Sequence, residues 1–286
     1  PGEARSFLNL MAGRLGLVLA IVTGLGVAGS PVLVGIMAPG FMDDPIRFDS
    51  TVSTLRWTFP YLFFISLVAM AGGILNTHDR FGAAAATPIV LNLCLISTVW
   101  LFVPASQNGA VMLGVGVLIA GVAQLAFQFP FLRRIRRVPS PRVRVHSPED
   151  QAGAAGVGQV LKLMIPAIFG VSIAQINLLV NTVLASFLVT GSVSWLYYSD
   201  RLMEFPLGVF GVALATVILP TLSRQVAESD HQSYRKTLDW AMRLVFLICL
   251  PAAAALGILA FPLMVTLFQY GAFSGEDAVM ASHALM

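Results

Sequence analysis

Ionisable side chains leave long gaps along the chain, and the residues within those gaps are almost all apolar. A helix rises about 1.5 Å per residue, so about 20 apolar residues in a row cross the roughly 30 Å hydrocarbon layer of a bilayer. The gap 15–42 predicts a first span from Arg14 to Ala38, closed by Ala38-Pro39-Gly40. The gap 57–78 predicts a second, entered through Trp57, Pro60 and Tyr61. The interval 81–132 is too long for one helix, and the breaker run from Pro104 to Gly109 divides it into a hairpin of two. A fifth span is predicted within 163–199, with a turn at Gly191-Ser192. A sixth is predicted over 197–223 and a seventh over 241–260. An eighth starts at Glu276.

Composition agrees with that pattern. Of 286 residues, 57% are hydrophobic and 11% charged, with a mean hydropathy of +0.83. Soluble domains carry roughly 25% charged residues, so a water-soluble enzyme, a disordered chain and a nucleic-acid binder built on basic grooves are all excluded. The fold class expected is all-α, a polytopic transmembrane bundle with about seven complete spans. Cys94 and Cys249 both lie in apolar runs and predict no disulfide framework. The chain starts at Pro1 and stops inside a helical pattern, so it reads as a fragment.

Orientation follows from the basic residues. With the first span running outward, fourteen lysines and arginines fall inside, among them Arg80, Arg133, Arg134, Arg136 and Arg137. Only Arg47, Arg56 and Arg201 fall outside. That is a strong positive-inside asymmetry. It places the acidic loop with Asp43, Asp44 and Asp49 outside. The longest inner loop, 132–161, carries the basic run and several prolines. It is the predicted link between two bundles, 1–131 and 162–286, and its arginines suit anionic lipid. A short surface helix over 158–164 is expected before Pro166 opens the next span.

Several motifs fail on context. Gly24-Leu-Gly26-Val-Ala-Gly29 matches a dinucleotide fingerprint, but that motif needs a preceding strand, and here it lies mid-span. Helix packing through Ala20, Gly24 and Ala28 is the better reading. The aspartates 43, 44 and 49 hint at a magnesium–diphosphate site, yet Arg47 stands where a further carboxylate is wanted. His78, His146, His231 and His283 lack metal-ligand spacing. No metal and no cofactor is expected.

Ionisable groups within spans are costly and usually face a cavity or a partner. Arg201 and Glu204, three residues apart, share a helix face and can pair. Pro206 and Gly208 loosen the helix just beyond them. An arginine near an interface can simply snorkel; one that faces a hydrated cavity can receive an anion through its planar fork. Gln175, Asn177 and Asn181 form a polar stripe in the fifth span, and Asn92 lies in the third. Interhelical hydrogen bonding is the ordinary reading of these, as of Gln124 and Gln128. Prolines recur in or beside the spans, as in bundles that rock between states.

The segment from Ser192 to Arg224, with Trp-Leu-Tyr-Tyr-Ser-Asp-Arg201-Leu-Met-Glu204-Phe-Pro at its centre, closely resembles the eighth helix of the MurJ/MviN family, the lipid II flippases. Ala38-Pro-Gly-Phe41, Phe59-Pro-Tyr61, Gly73-Ile-Leu-Asn-Thr77, Pro166-Ala-Ile-Phe-Gly170 and Leu267-Phe-Gln-Tyr-Gly271 match in the family's order. The resemblance covers essentially the whole chain. It implies helices three to nine and the start of ten of a two-lobed exporter fold.

It further implies a transporter rather than an enzyme. Lipid II, undecaprenyl diphosphate carrying a disaccharide peptide, would be flipped from the inner to the outer leaflet by alternating access. The expected location is the bacterial cytoplasmic (inner) membrane. Membrane lipids and cell-wall synthesis proteins are the expected partners, and nucleic acid is not. The family's cavity arginines come from its first, second and eighth helices, so here only Arg201 is present. Glu204 and Ser194 match cavity-facing positions, and Asn92, Gln175 and Asn181 complete the expected substrate-binding set. The alternatives are an exporter of another polyprenyl-linked saccharide and, in a different class, a membrane-embedded polyprenyl-phosphate transferase using the aspartates 43, 44 and 49. A non-transporting scaffold for cell-wall enzymes is a third.

Overall fold

A computed structural model of the protein describes residues 2–145, 148–228 and 230–286. Every regular element among them is helical. Among the described residues, six helices are long and apolar enough to cross a membrane: Ala4–Ala28, Pro45–Asn76, Phe81–Ala105, Gly109–Arg134, Gly153–Ser186 and His231–Ile258. With the composition, they make this a multi-pass membrane protein. The chain forms two compact units, Pro1–Val183 and Leu184–Met286.

The first unit begins with α1 (Gly2–Ala28) and α2 (Ser30–Met37), so helix starts about a dozen residues before the predicted first span. The break at Gly29 has a simple cause: Pro31 has no N–H to offer Val27, and its ring crowds the preceding turn. The segment of Asp43, Asp44 and Asp49, predicted as an acidic loop, is mostly helix, α3 (Pro45–Thr58). Asp44 caps it by accepting from the Arg47 N–H at 3.2 Å, and Pro45 occupies the first turn, where an N–H is not needed. One of the three aspartates is thus a helix cap, and Asp49 lies within the helix. Helix α4 (Tyr61–Asn76) follows almost without pause. Then come α5 (Phe81–Ala85), α6 (Thr87–Leu101) and α7 (Gly109–Arg134), with the hairpin where Pro104–Gly109 predicted it.

Helix α7 is the centre of this unit and packs against α3, α4 and α6. Its small residues permit the approach. A Cβ at Gly114 would lie 2.9 Å from the Thr54 carbonyl oxygen, and one at Gly116 would lie 2.6 Å from Thr98 Oγ1. Gln124 and Gln128 are buried on it and donate to the Thr87 carbonyl (3.1 Å) and the Thr87 hydroxyl (2.8 Å), as expected of interhelical bonds. The small stripe Ala20, Gly24 and Ala28 on α1, by contrast, faces outward. The packing glycine there is Gly26, whose position abuts the Phe59 ring. The G-x-G-x-x-G match lies wholly in or beside helix.

The long inner loop is shorter than predicted. Irregular chain covers 135–145, and α8 (Pro148–Ser186) then runs 39 residues, with Pro166 and the predicted surface helix inside it. His146 lies outside the described residues. The irregular segment is fastened to the start of α1. Ser140 N–H donates to Asn9 Oδ1 (2.7 Å), Arg142 N–H donates to the Asn9 carbonyl (2.9 Å), and the Ser6 hydroxyl bonds the buried Asp150 carboxylate.

The second unit holds α9 (Ser192–Pro206), a π-helical stretch (Leu207–Gly211), α10 (Val212–Ala227), α11 (His231–Ile258), α12 (Ala260–Phe268) and α13 (Gly275–Leu285). The predicted sixth span, 197–223, is therefore helical but interrupted. Pro206 supplies no N–H, and the i to i+5 stretch that follows accommodates the lost bond. Cys94 and Cys249 are free thiols.

Candidate functional site

Helix α9 has two opposite faces. Trp195, Ser199 and Leu202, spaced at four and three residues, turn inward. Trp195 Nε1–H donates to Asp277 Oδ1 at 2.8 Å, and Ser199 Oγ–H donates to the Ala281 carbonyl at 2.7 Å. Leu202 packs with Met264, Ala278 and Ala281, and Tyr198 meets Phe268 and Phe273 with ring centroids 4.9 Å away in each case. Asp277 also closes a capping box with Ser274 at the start of α13. One carboxylate thus both starts α13 and holds α9 to it.

The other face carries Ser194, Tyr197, Arg201 and Glu204, all exposed. Arg201 Nη1 donates to Glu204 Oε2 at 2.7 Å, and its guanidinium lies 4.9 Å from the Tyr197 ring centroid. Both charged side chains remain about half exposed, 52% and 54%, so the ion pair adds little to stability. What it does is aim the guanidinium, with the aromatic face as a second support. Beyond Arg201 lies a recess of about 690 Å³ walled by Phe205, Phe210, Leu256, Leu259 and Phe268. A charged fork at the edge of an apolar recess suits an amphiphile with an anionic head.

Of the predicted site residues, Ser194, Arg201 and Glu204 share this face. Gln175 lines a recess of about 420 Å³ with Met37, Ser172 and Thr182. Asn181 is half-buried on α8, and Asn92 is exposed on α6. Among the described residues, the side chains of Asn92, Gln175, Asn177 and Asn181 make no hydrogen bond. The sequence reading missed Tyr197 and the Trp195–Asp277 bond. The four-residue spacing of Tyr197 from Arg201 was the available signal for the first. The second joins positions 82 apart and left none.

Among the described residues, no group of three His, Cys, Asp or Glu side chains could hold a metal ion. Hydrogen bonds from the Ser274 hydroxyl and N–H, then from Trp195, hold the Asp277 carboxyl below its ordinary value of 3.8. Because the folded value is depressed, the stabilisation is full above 3.8. It is lost as pH falls through that value toward the depressed one. Thermal unfolding of the purified protein should therefore steepen in acid for wild type and flatten for Asp277→Asn. Parallel pH profiles would contradict this role.

The family model described as "MurJ: Lipid II flippase MurJ" matches residues 1–286. The chain is 41% identical over 99% of its length to a "Probable lipid II flippase MurJ" of Haemophilus influenzae, covering 57% of that protein. It is 40% identical to the protein of the same description from Vibrio cholerae, with 54% of that protein covered. It is 38% identical to a "Lipid II flippase MurJ" of Burkholderia cenocepacia, again with 54% covered. The chain thus spans about half the length of the curated relatives it matches. A solved structure, "Lipid II flippase MurJ, inward closed conformation", shares the fold at a TM-score of 0.78 and 24% identity, covering all of this chain and 57% of that one. With all of its residues matched, the chain belongs to the MurJ family of lipid II flippases.

Proposed function

We propose that this chain supplies the middle helices of a flippase that moves lipid II from the inner to the outer leaflet of the bacterial cytoplasmic membrane. On this reading Arg201 receives the diphosphate, while Glu204 and Ser194 share its cavity face. Asn92, Gln175 and Asn181 contribute polar contacts to the head group. The observation that carries the reading is Arg201: an exposed, aimed guanidinium beside an apolar recess, in the segment that most resembles the family.

The physics is that of moving charge through oil. A diphosphate carries roughly two negative charges, whose desolvation in hydrocarbon is prohibitive unless fixed cations and water replace the lost hydration. Arginine stays charged and donates two parallel bonds to phosphate oxygens. Glu204 competes for the same guanidinium, so capture is reversible, as a carrier requires. An inside-negative potential favours outward movement of an anion by about 2.3 kcal/mol per charge per 100 mV. No bond is made or broken in this cycle, which makes the protein a transporter and not an enzyme. The segment 132–161 would join lobes 1–131 and 162–286 on the cytoplasmic side, consistent with its arginines.

The test is rescue. The full-length parent gene, expressed in a bacterium depleted of its own lipid II flippase, is expected to restore growth and normal cell shape. Failure despite good membrane expression would overturn the substrate. An exporter of another polyprenyl-linked saccharide would then be favoured.

A further inference from the structure

The turn 79–83 and the last turns of α7 enclose a recess of about 440 Å³ in the first unit, at the end that the charge asymmetry assigns to the cytoplasm. Arg80, Arg134 and Asp79 stand at it, with Phe127 and Phe131 as walls, their ring centroids 5.5 Å apart. We propose that this recess binds the phosphodiester head group of a membrane phospholipid, with Arg80 and Arg134 holding the phosphate. The proposal does not rest on the transport reading.

The backbone builds the site from two similar helix ends. After α4, the Arg80 N–H donates back to the Leu75 carbonyl (2.9 Å), with Asp79 left-handed at φ 56°. After α7, the Arg137 N–H donates back to the Leu132 carbonyl (3.1 Å), with Arg136 left-handed at φ 55°. Neither left-handed residue is glycine, and each closure turns its helix off sharply. One arginine from each end meets the same recess: Arg80 from the turn that closes α4, and Arg134 from the last turn of α7, just before its closure. The packed cluster of Ala71, Ile74, Leu75, Ala83 and Leu132 beneath holds the two ends together.

Helix C-termini attract cations, which accounts for an arginine at each end. It does not account for a recess between them. Among the described residues, neither Arg80 nor Arg134 is in an ion pair with a carboxylate, unlike Arg201, Arg224 and Arg243, which pair with Glu204, Glu228 and Asp239. Two arginines and Asp79 sum to one positive charge. That matches the single negative charge of a phosphodiester and falls short of a diphosphate. Phe81, 58% exposed at the rim, suits contact with the upper acyl region.

The experiment is lipid titration of the full-length protein in detergent, read by native mass spectrometry. Phosphatidylglycerol is the ligand, and inorganic phosphate and glycerol phosphate are the competitors. The double variant Arg80→Gln/Arg134→Gln is expected to weaken the tightest lipid site ten-fold or more. Arg133→Gln/Arg144→Gln removes equal charge from the same inner segment, outside the recess and both helix closures, and should leave that site intact. Gly82 lines the recess and has open space around its Cβ position. Gly82→Trp should therefore block the lipid without changing charge. Equal weakening by the two double variants, or an unaffected site in Gly82→Trp, would overturn the recess as the site. Displacement by inorganic phosphate at the concentration at which lipid binds would overturn the lipid and assign a soluble phosphate.

Discussion

Replacing Arg201 by alanine in the full-length protein is expected to weaken lipid II binding roughly ten- to a hundred-fold and to abolish rescue of flippase-depleted cells. A hydrogen bond to a charged group contributes about 1.5–3 kcal/mol, and each 1.36 kcal/mol is about a factor of ten. Loss of rescue follows because the alanine variant keeps Glu204, now unpaired, facing the position of the diphosphate. Arg201→Lys should recover part of the binding, since it restores charge without the planar fork. Glu204→Gln should do the opposite of Arg201→Ala at the binding step, tightening capture by removing the competitor for the guanidinium. Stability should change little in any of these, because both side chains are half exposed. Titration of detergent-solubilised protein with lipid II, beside a thermal unfolding control, checks the set. Equal affinity in wild type and Arg201→Ala would leave Arg201 as a snorkelling side chain.

Gly13→Ala is the second large effect. A Cβ at Gly13 would fall 2.1 Å from the Arg142 carbonyl oxygen and 2.5 Å from the Arg142 nitrogen. These are backbone atoms, so no rotamer change relieves the clash. The segment 135–145 must lift from α1, losing the bonds from Ser140 and Arg142 to Asn9. Overpacking of this kind costs about 1–3 kcal/mol. Gly16→Ala, one turn further along the same helix, meets nothing within 4 Å and should be neutral or slightly stabilising. In inside-out vesicles, trypsin should cut at Arg136, Arg142 or Arg144 several-fold faster in Gly13→Ala than in wild type or Gly16→Ala. Identical cleavage of all three would contradict the docked segment.

Membrane class was legible from the charge gaps, because the bilayer imposes length and apolarity on every spanning helix. Helix ends were less so. The run 45–58 carries Asp49, Arg47 and Arg56 and lacks the apolar length of a span, so its helical character rested on the Asp44–Pro45 cap, a local signal outweighed by the acidic look of the loop. The start of α1 at Gly2 was hidden by Arg5 and Arg14, which read as a boundary although a helix can project past the membrane. Small-residue spacing pointed to Ala20, Gly24 and Ala28, but spacing alone cannot say which helix face has a neighbour, and Gly26 has one. At the site, Arg201 and Glu204 were legible because their separation is helical. Asp277 and the recess between Arg80 and Arg134 depend on contacts between distant segments, which periodicity does not encode.

Accessibility of lipid II at the outer face of the membrane tests the central claim most directly. Cells depleted of their own flippase and carrying the full-length gene would be treated with a membrane-impermeant reagent that reacts only with outer-leaflet lipid II. Wild type is expected to restore labelling, Arg201→Lys to restore part of it, and Arg201→Ala to leave it at the depleted level with equal protein in the membrane. Full labelling with Arg201→Ala would contradict the account.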